Sequence, residues 1–489
     1  MNNQKYTISI SYPPLLSPKG IPFLGQNRQF QWTNTGNVIL PVIPAYGASA
    51  LKKMGYKIYW DDAIAEKISY EKWFKRLIKR QPDIIFIESK TPVIKRHWEI
   101  INDIKKFLPK TITVLMGDHV TALPEESMKN SLVDYVITGG DYDFMMINLV
   151  SHLVKNTKLE SGFYFRSKKI IKNTGLFALK HHNLDDLPII DRKLTKWQLY
   201  GINNTNFKYK PGAYIMSGRD CWWGKCTFCS WTTTHPGNTF RRFSVKHTIR
   251  EIESLVKLGV KEIFDDAGTL PIGPWLNDLC HELISTGLNK KVVLGCNMRF
   301  AALNQEQYDL MGKAGFRFIL YGLESNNNKT LQRLVKNTKN IDARNTLIMA
   351  KRSGLEPHIT IMIGYPWEKL KDARNTLHEA QRLFKDGLAD SMQATIVIPY
   401  PGTPLFAECQ KNKWLLTEDW NDFDMRQPVM KSPINKETQL KLVRELFYGV
   451  LTPKFLWRKI TSIRNLDDVK YLSTYALKYL EKLKDFSSN

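Results

Sequence analysis

Three of the six cysteines, Cys221, Cys226 and Cys229, fall inside the stretch Ser217–Trp231, which reads SGRDCWWGKCTFCSW. The C-x2-C pair at 226 and 229 aims two sulfurs at one centre through a tight turn, and Cys221 approaches from the other side of the Gly224 bend. Three thiolates on one loop suit an iron–sulfur cluster with one iron left open. They also suit a zinc site that recruits a fourth ligand, and His235 completes such a set as C-x4-C-x2-C-x5-H. The third option is three small buried apolar side chains, but free cysteines pack without needing a fixed local spacing.

The elements around this loop decide where it sits. From Gly212 onward, short apolar runs alternate with helical patterns: AYIMS, VKEIFDD, KVVLGCN, FRFILYGLES, PHITIMIGYP and SMQATIVIPYPGTPL. Six strands separated by helices predict a partial (β/α)6 TIM-like barrel over 212–404. Chemistry in such barrels lies at the carboxyl ends of the strands. The cysteine loop follows the first strand and therefore shares that face with Asp265–Asp266, Asn297–Arg299, Glu324 and Gly364–Glu368.

A similar alternation precedes it. After an extended, proline-rich start (residues 1–47), the strands YKIYWDDA, DIIFIES, ITVLMGD and YVITGGD are spaced by helices, with Gly or Asp at their exits. This predicts a doubly wound, Rossmann-like parallel sheet over 1–155, whose ligand face carries Asp61–Asp62, Glu88–Lys90, Gly117–His119 and Gly139–Asp141. His119 has two readings, a capping or core histidine and a ligand-facing one, the second raised by its place directly after a strand. Gly117 and Gly139 either serve the turns or let a flat ligand approach the backbone. Residues 156–211 read as a linker region with a small strand pair, and the adjacent His181 and His182 as surface residues. Residues 405–489 read as a helical extension.

Composition bounds the class. A chain of 489 residues with 43% hydrophobic content supports two or three domains with sizeable cores. No apolar run reaches the length of about 18 residues needed to span a membrane, and the N-terminus lacks a signal-peptide core, so a cytoplasmic location is expected. Clustered cysteines plus scattered Cys280, Cys296 and Cys409 do not form a secreted disulfide framework. The net charge of +24 is compatible with a generally basic surface, with nucleic acid, or with anionic lipid. The segment LFYGVLTPKFLWRKI (446–460) either lies on a membrane surface, giving peripheral contact, or packs on the barrel with its bases snorkelling.

Taken together, these motifs resemble the radical S-adenosylmethionine superfamily, specifically the subgroup with an N-terminal cobalamin-binding domain. The resemblance runs from about residue 38 to 475 and is carried by the cysteine loop followed in order by DDAGTL, NMRF, YGLES, IGYPWE and PYPGTPL. It implies three cofactors: a 4Fe–4S cluster held by Cys221, Cys226 and Cys229, S-adenosylmethionine on its open iron, and cobalamin. It further implies that Phe228 lies against the adenine, that Glu324 hydrogen-bonds the ribose, and that Arg299 pairs with the methionine carboxylate. Asp266 and Gly364 join the S-adenosylmethionine site, and Gly117, His119 and Gly139 the cobalamin site. The activity implied is C-methylation of an unactivated carbon through a 5′-deoxyadenosyl radical. An external electron donor of the flavodoxin or ferredoxin type would serve it, and the substrate would be a small molecule or lipid. Relatives of this architecture also perform cyclisation or other rearrangements, on a lipid or tetrapyrrole-like substrate. A zinc-stabilised nucleic-acid-binding protein explains the cysteines and the charge but leaves the two strand/helix series without a purpose, so nucleic acid is not the expected partner.

The chain departs from the family in three places. The cysteines are spaced C-x4-C-x2-C where C-x3-C-x2-C is usual, and Gly224 is expected to absorb the extra residue. There is no D-x-H-x-x-G to supply a histidine to cobalt. The loop after the expected fourth strand reads GGDYDF where relatives often have GEGE.

Overall fold

The computed structural model describes residues 6–24, 30–34, 37–168, 170–179, 182–219, 221–237 and 239–486. They divide into two compact units. One comprises Met1–Tyr200, Cys229–Arg241 and Tyr400–Ala407, and the other Gly201–Phe228, Arg242–Pro399 and Glu408–Asn489.

The first unit is built on a seven-stranded sheet. In chain order its strands are β1 (Thr7–Tyr12), β2 (Lys57–Asp62), β3 (Ile84–Ser89), β4 (Ile112–Gly117), β5 (Tyr135–Ile137), β6 (Phe163–Ser167) and β7 (Ile170–Asn173). The spatial order is β2-β1-β3-β4-β5-β6-β7. The first five are parallel, and β6 and β7 are antiparallel additions. Two features differ from the expectation. The strand TISISY, inside the stretch read as extended, lies between β2 and β3, with Ile10 opposite both Trp60 and Phe86. The strand pair assigned to a linker is the far edge of this sheet.

Local sequence explains the elements. Helix Tyr70–Arg80 starts at Ser69, whose side chain accepts from the Lys72 N–H, and ends at Gln81 in the left-handed conformation. It buries Trp73 and Leu77 against the sheet while its lysines face out and half-buried Arg76 and Arg80 pair with Asp61. Strand β3, IIFIES, is buried at every position, as a parallel strand covered on both faces must be.

The second unit holds a six-stranded, all-parallel sheet in strict sequence order: β8 (Gly212–Ile215), β9 (Glu262–Asp265), β10 (Val293–Met298), β11 (Phe316–Glu324), β12 (Glu356–Ile363) and β13 (Ser391–Ile396). Sequential order with intervening helices is the partial-barrel arrangement. At the amino ends of these strands, buried Arg317 pairs with both Glu262 and Glu356, tying three strands together.

Three helices close the chain: Lys436–Val450, Pro453–Thr461 and Leu466–Asp485. In the middle one the bases turn inward. Arg458 donates to the carbonyls of Phe384 and Lys385 at the end of helix Leu370–Lys385, and Lys459 pairs with Asp390 at 3.1 Å. Leu456, Trp457 and Ile460 point to solvent. Among the described residues no helix is long and apolar enough to cross a membrane.

Candidate active site

The cysteine loop leaves the carboxyl end of β8 and is tied to neighbouring strand ends by both backbone and side chains. Asp265, at the end of β9, accepts from the Ser217 and Ala267 N–H groups, each at 3.1 Å. The Cys221 Sγ lies 3.1 Å from Thr269 Oγ1, and the Trp222 indole donates to the Leu270 carbonyl at 3.2 Å. The Trp223 indole donates to the Val335 carbonyl at 2.7 Å, and Thr227 N–H to the Leu334 carbonyl at 3.2 Å. Gly224 takes φ +55°, the left-handed bend that lets the extra residue of the C-x4-C spacing turn back.

All three cysteines are half-buried and outside any disulfide. Burial pushes the Cys226 thiol up; Lys336 and Arg299 act against that, while Cys221 and Glu324 reinforce it. Cys226 therefore sits among the same groups that the strand-end motifs supply.

Glu324 ends β11 in a strained conformation. Its φ is +59°, the β11–β12 register shifts between Gly322 and Glu324, and the Ser325 N–H closes a tight turn onto the Leu323 carbonyl at 2.7 Å. The turn buries the carboxylate, and Lys336 Nζ donates to its Oε1 at 3.3 Å. Its Oε2 has no hydrogen-bond partner among the described residues. The cation paired with Glu324 is Lys336, which sequence reasoning missed because it sits in a loop without a motif.

Arg299 follows β10. Its guanidinium lies 4.1 Å from the Trp223 ring centroid and 5.4 Å from that of Trp222, and it donates to the Lys336 carbonyl. The arginine clamps the WWGK insert. Gly364, after β12, has φ +101° and faces Gln439 Oε1, which would lie 2.1 Å from an added Cβ. The Gly364 N–H donates to Glu368 Oε2 at 2.8 Å, and burial raises Glu368 to about 7. Asp266 and Phe228 are half-buried, and the Asp266 N–H donates to the Ile215 carbonyl at 2.9 Å.

In the first unit the carboxyl ends of β1–β4 gather buried polar groups. The Tyr12 hydroxyl donates to Glu88 at 2.7 Å, and the Tyr200 hydroxyl to Asp62 at 2.6 Å while accepting from the Trp60 indole at 2.8 Å. Burial lifts Glu88 to about 7 and Asp62 to about 6. His119 is fully buried, with Nδ1 3.3 Å from Thr91 Oγ1 and Nε2 3.1 Å from Glu126, so both ring nitrogens are engaged by the chain itself. Gly117 has φ +131°, and an added Cβ would meet the Ser89 carbonyl at 2.0 Å. At Gly139, φ +82°, an added Cβ would meet the Phe177 ring at 2.3 Å. The close approach these glycines permit is made by the protein's own groups.

His182, expected at the surface, is buried; its neighbour His181 lies outside the described residues. The His182 Nδ1 is 2.7 Å from Asp141 and Nε2 2.9 Å from Glu160, and the ring stacks on Phe144 with centroids 4.4 Å apart. Arg241 binds Asp141 bidentately at 2.7 and 2.8 Å. His235, the fourth ligand of the zinc alternative, packs its ring against Gly140, and among the described residues no three of His, Cys, Asp and Glu gather closely enough to hold a single metal ion.

Residues 215–380 match the family model of the Radical SAM superfamily. An uncharacterized methyltransferase of Pyrococcus horikoshii is 27% identical over 430 residues, 86% of this chain and 90% of that protein. The anaerobic magnesium-protoporphyrin IX monomethyl ester cyclase of Cereibacter sphaeroides is 26% identical over 407 residues, 80% of this chain and 63% of that protein. Among solved structures, the cobalamin-dependent S-adenosylmethionine radical enzyme OxsB superposes with a TM-score of 0.71 at 16% identity, covering 97% of this chain and 71% of that chain. The radical S-adenosylmethionine methyltransferase TsrM from Kitasatospora setae superposes at 0.67 and 14% identity, covering 83% of this chain and 75% of that chain. Residues 215–380 thus match the Radical SAM superfamily, and the chain shares the fold of the cobalamin-dependent S-adenosylmethionine radical enzyme OxsB and of the methyltransferase TsrM.

Proposed function

We propose that this protein is a cobalamin-dependent radical S-adenosylmethionine enzyme that transfers a methyl group to an unactivated carbon of a small-molecule substrate. The observation that carries the reading is the cysteine loop on the first strand of a six-stranded parallel series, with the buried Glu324–Lys336 pair and Arg299 acting on Cys226. Three uncrosslinked, half-buried thiols, two cations acting on the middle one, are a donor set suited to an iron–sulfur cluster. Cys221, Cys226 and Cys229 would each ligate one iron. When bound, the cluster and S-adenosylmethionine supply a 5′-deoxyadenosyl radical, and cobalamin supplies a transferable methyl group.

The chain's own residues do the rest. Trp222, Trp223 and Arg299 hold the loop at the strand ends; Glu324, fixed by Lys336, presents a free acceptor oxygen suited to a ribose hydroxyl. Phe228, Asp266 and Gly364 would hold the adenosyl part of the bound S-adenosylmethionine. In the first unit the strand-end loops would hold cobalamin, with Gly117 and Gly139 shaping their backbone and His119 pinning Thr91 and Glu126. The electron comes from an external donor of the flavodoxin or ferredoxin type. A second reading keeps the radical step but ends in cyclisation of a tetrapyrrole-like or lipid substrate, and the Cereibacter sphaeroides relative favours it.

Anaerobic reconstitution with iron, sulfide and cobalamin tests both cofactors. The expected result is roughly four irons per chain and release of 5′-deoxyadenosine, with both lost in Cys226→Ala. One zinc without iron would overturn the radical reading; 5′-deoxyadenosine without any methylated product would overturn methyl transfer alone.

A further inference from the structure

Glu324 is not the one buried group at this end of the strands with an open hydrogen-bonding position. Tyr365 follows Gly364 after β12 and is fully buried. Its position is fixed on several sides. The ring lies nearly parallel to Trp367, centroids 5.6 Å apart, and the Tyr365 carbonyl accepts from Ser432 Oγ at 3.2 Å. Glu368 accepts from the Gly364 N–H through Oε2 at 2.8 Å, and its Oε1 has no hydrogen-bond partner among the described residues. The Tyr365 hydroxyl has no hydrogen-bond partner among the described residues, and neither does Glu324 Oε2.

Burial first, then the charges of Glu324, Glu368 and Cys226, keep the phenol well above its ordinary value, so it is a neutral donor. A neutral hydroxyl and a carboxylate oxygen, both dry and both unsatisfied, ask for a ligand that offers hydroxyls. A carboxylate in this place would face Glu324 as a like charge.

We propose that Tyr365 Oη and Glu324 Oε2 act as a donor–acceptor pair gripping the ribose diol of S-adenosylmethionine. The carboxylate accepts from one ribose hydroxyl and the phenol donates to the other. Tyr365 is then a binding residue that no motif singles out, and the assignment rests on the reading of the site given above.

The test is equilibrium dialysis of S-adenosylmethionine against anaerobically reconstituted wild type and Tyr365→Phe, with its 2′-deoxy and 3′-deoxy analogues. Iron content and circular dichroism check that the variant carries its cluster and folds. Removing one neutral hydrogen bond should weaken S-adenosylmethionine binding roughly three- to tenfold. For one deoxy analogue, the one lacking the hydroxyl that Tyr365 reaches, wild type and variant should bind alike. A variant that binds S-adenosylmethionine as wild type does, or whose deficit persists with both analogues, overturns the role of Tyr365 and leaves the radical reading standing. A reconstituted wild type that binds no S-adenosylmethionine overturns both.

Discussion

The His182 cluster allows a prediction whose size and sign both follow from the geometry. Burial alone would pull the imidazole down, but carboxylates on both ring nitrogens, from Asp141 and Glu160, outweigh it and raise the group to about 9. Each nitrogen must then carry a proton, and His182 is an imidazolium at neutral pH. A folded value above the unfolded one, about 6.5, means stabilisation that is full below the unfolded value and lost as pH rises through the folded one. The shift corresponds to about 3 kcal/mol below pH 6.5 and about 2 kcal/mol at pH 7.5, fading by pH 10. Glu160 is 37% exposed, so solvent screens its share and these figures are upper bounds. Replacing His182 with Gln keeps one hydrogen bond and removes the charge, while Asp141 retains Arg241. Hydrogen exchange of the segment 139–155, corrected for intrinsic rate, reads the local opening. Protection in His182→Gln should fall by up to about thirtyfold at pH 7.5 and match wild type at pH 10. An equal loss at both pH values would mean that stacking on Phe144, not charge, holds the loop, and the reasoning would be refuted.

Two further perturbations address other parts of the molecule. Arg317→Met leaves buried Glu262 without its cation and part-exposed Glu356 with Lys208 alone, and should cost about 3–5 kcal/mol, read as a lower urea midpoint for the second unit. Burial works against ionisation of Glu356, yet Arg317 and Lys208 hold it below its ordinary value, so wild type should lose this stabilisation as pH falls below about 4.5 and the variant should lose less. Gly139→Ala places a Cβ 2.3 Å from the Phe177 ring at φ +82° and should destabilise by about 1–3 kcal/mol, with partial recovery in a double variant carrying Phe177→Ala. A melting temperature unchanged by Gly139→Ala would show that the ring moves aside freely.

What the sequence made legible was what repeats locally. The six strands of the second unit alternate with amphipathic helices, and their exits carry the motif residues, so order and face could both be read from the chain. Strand β1 could not, because its partners Lys57–Asp62 and Ile84–Ser89 lie far along the chain and the prolines after Tyr12 mask its apolar alternation. His182 escaped for the same reason: the carboxylates that bury it, Asp141 and Glu160, come from other elements. At Gly139 the need for a positive φ was legible, but what fills the space beside it was not. Tyr365 was legible only as part of IGYPWE, since an open hydroxyl is a property of the packed state.

The C-x4-C spacing can now be given a physical account. An inserted residue in a ligand loop has two outcomes: it loosens the ligands or it is anchored. Here each insert tryptophan donates to a backbone carbonyl of a neighbouring loop, at Leu270 after β9 and at Val335 after the helix Asn328–Arg333, and Arg299 lies against both rings. Gly224 turns the chain between these anchors and Cys226. The guanidinium in turn donates to the carbonyl of Lys336, whose ammonium holds Glu324. The longer loop is therefore connected, through Arg299 and Lys336, to the carboxylate expected to grip the ribose. On this account Arg299 fastens the insert through its two ring contacts and one hydrogen bond, which leaves its other guanidinium donors for a carboxylate.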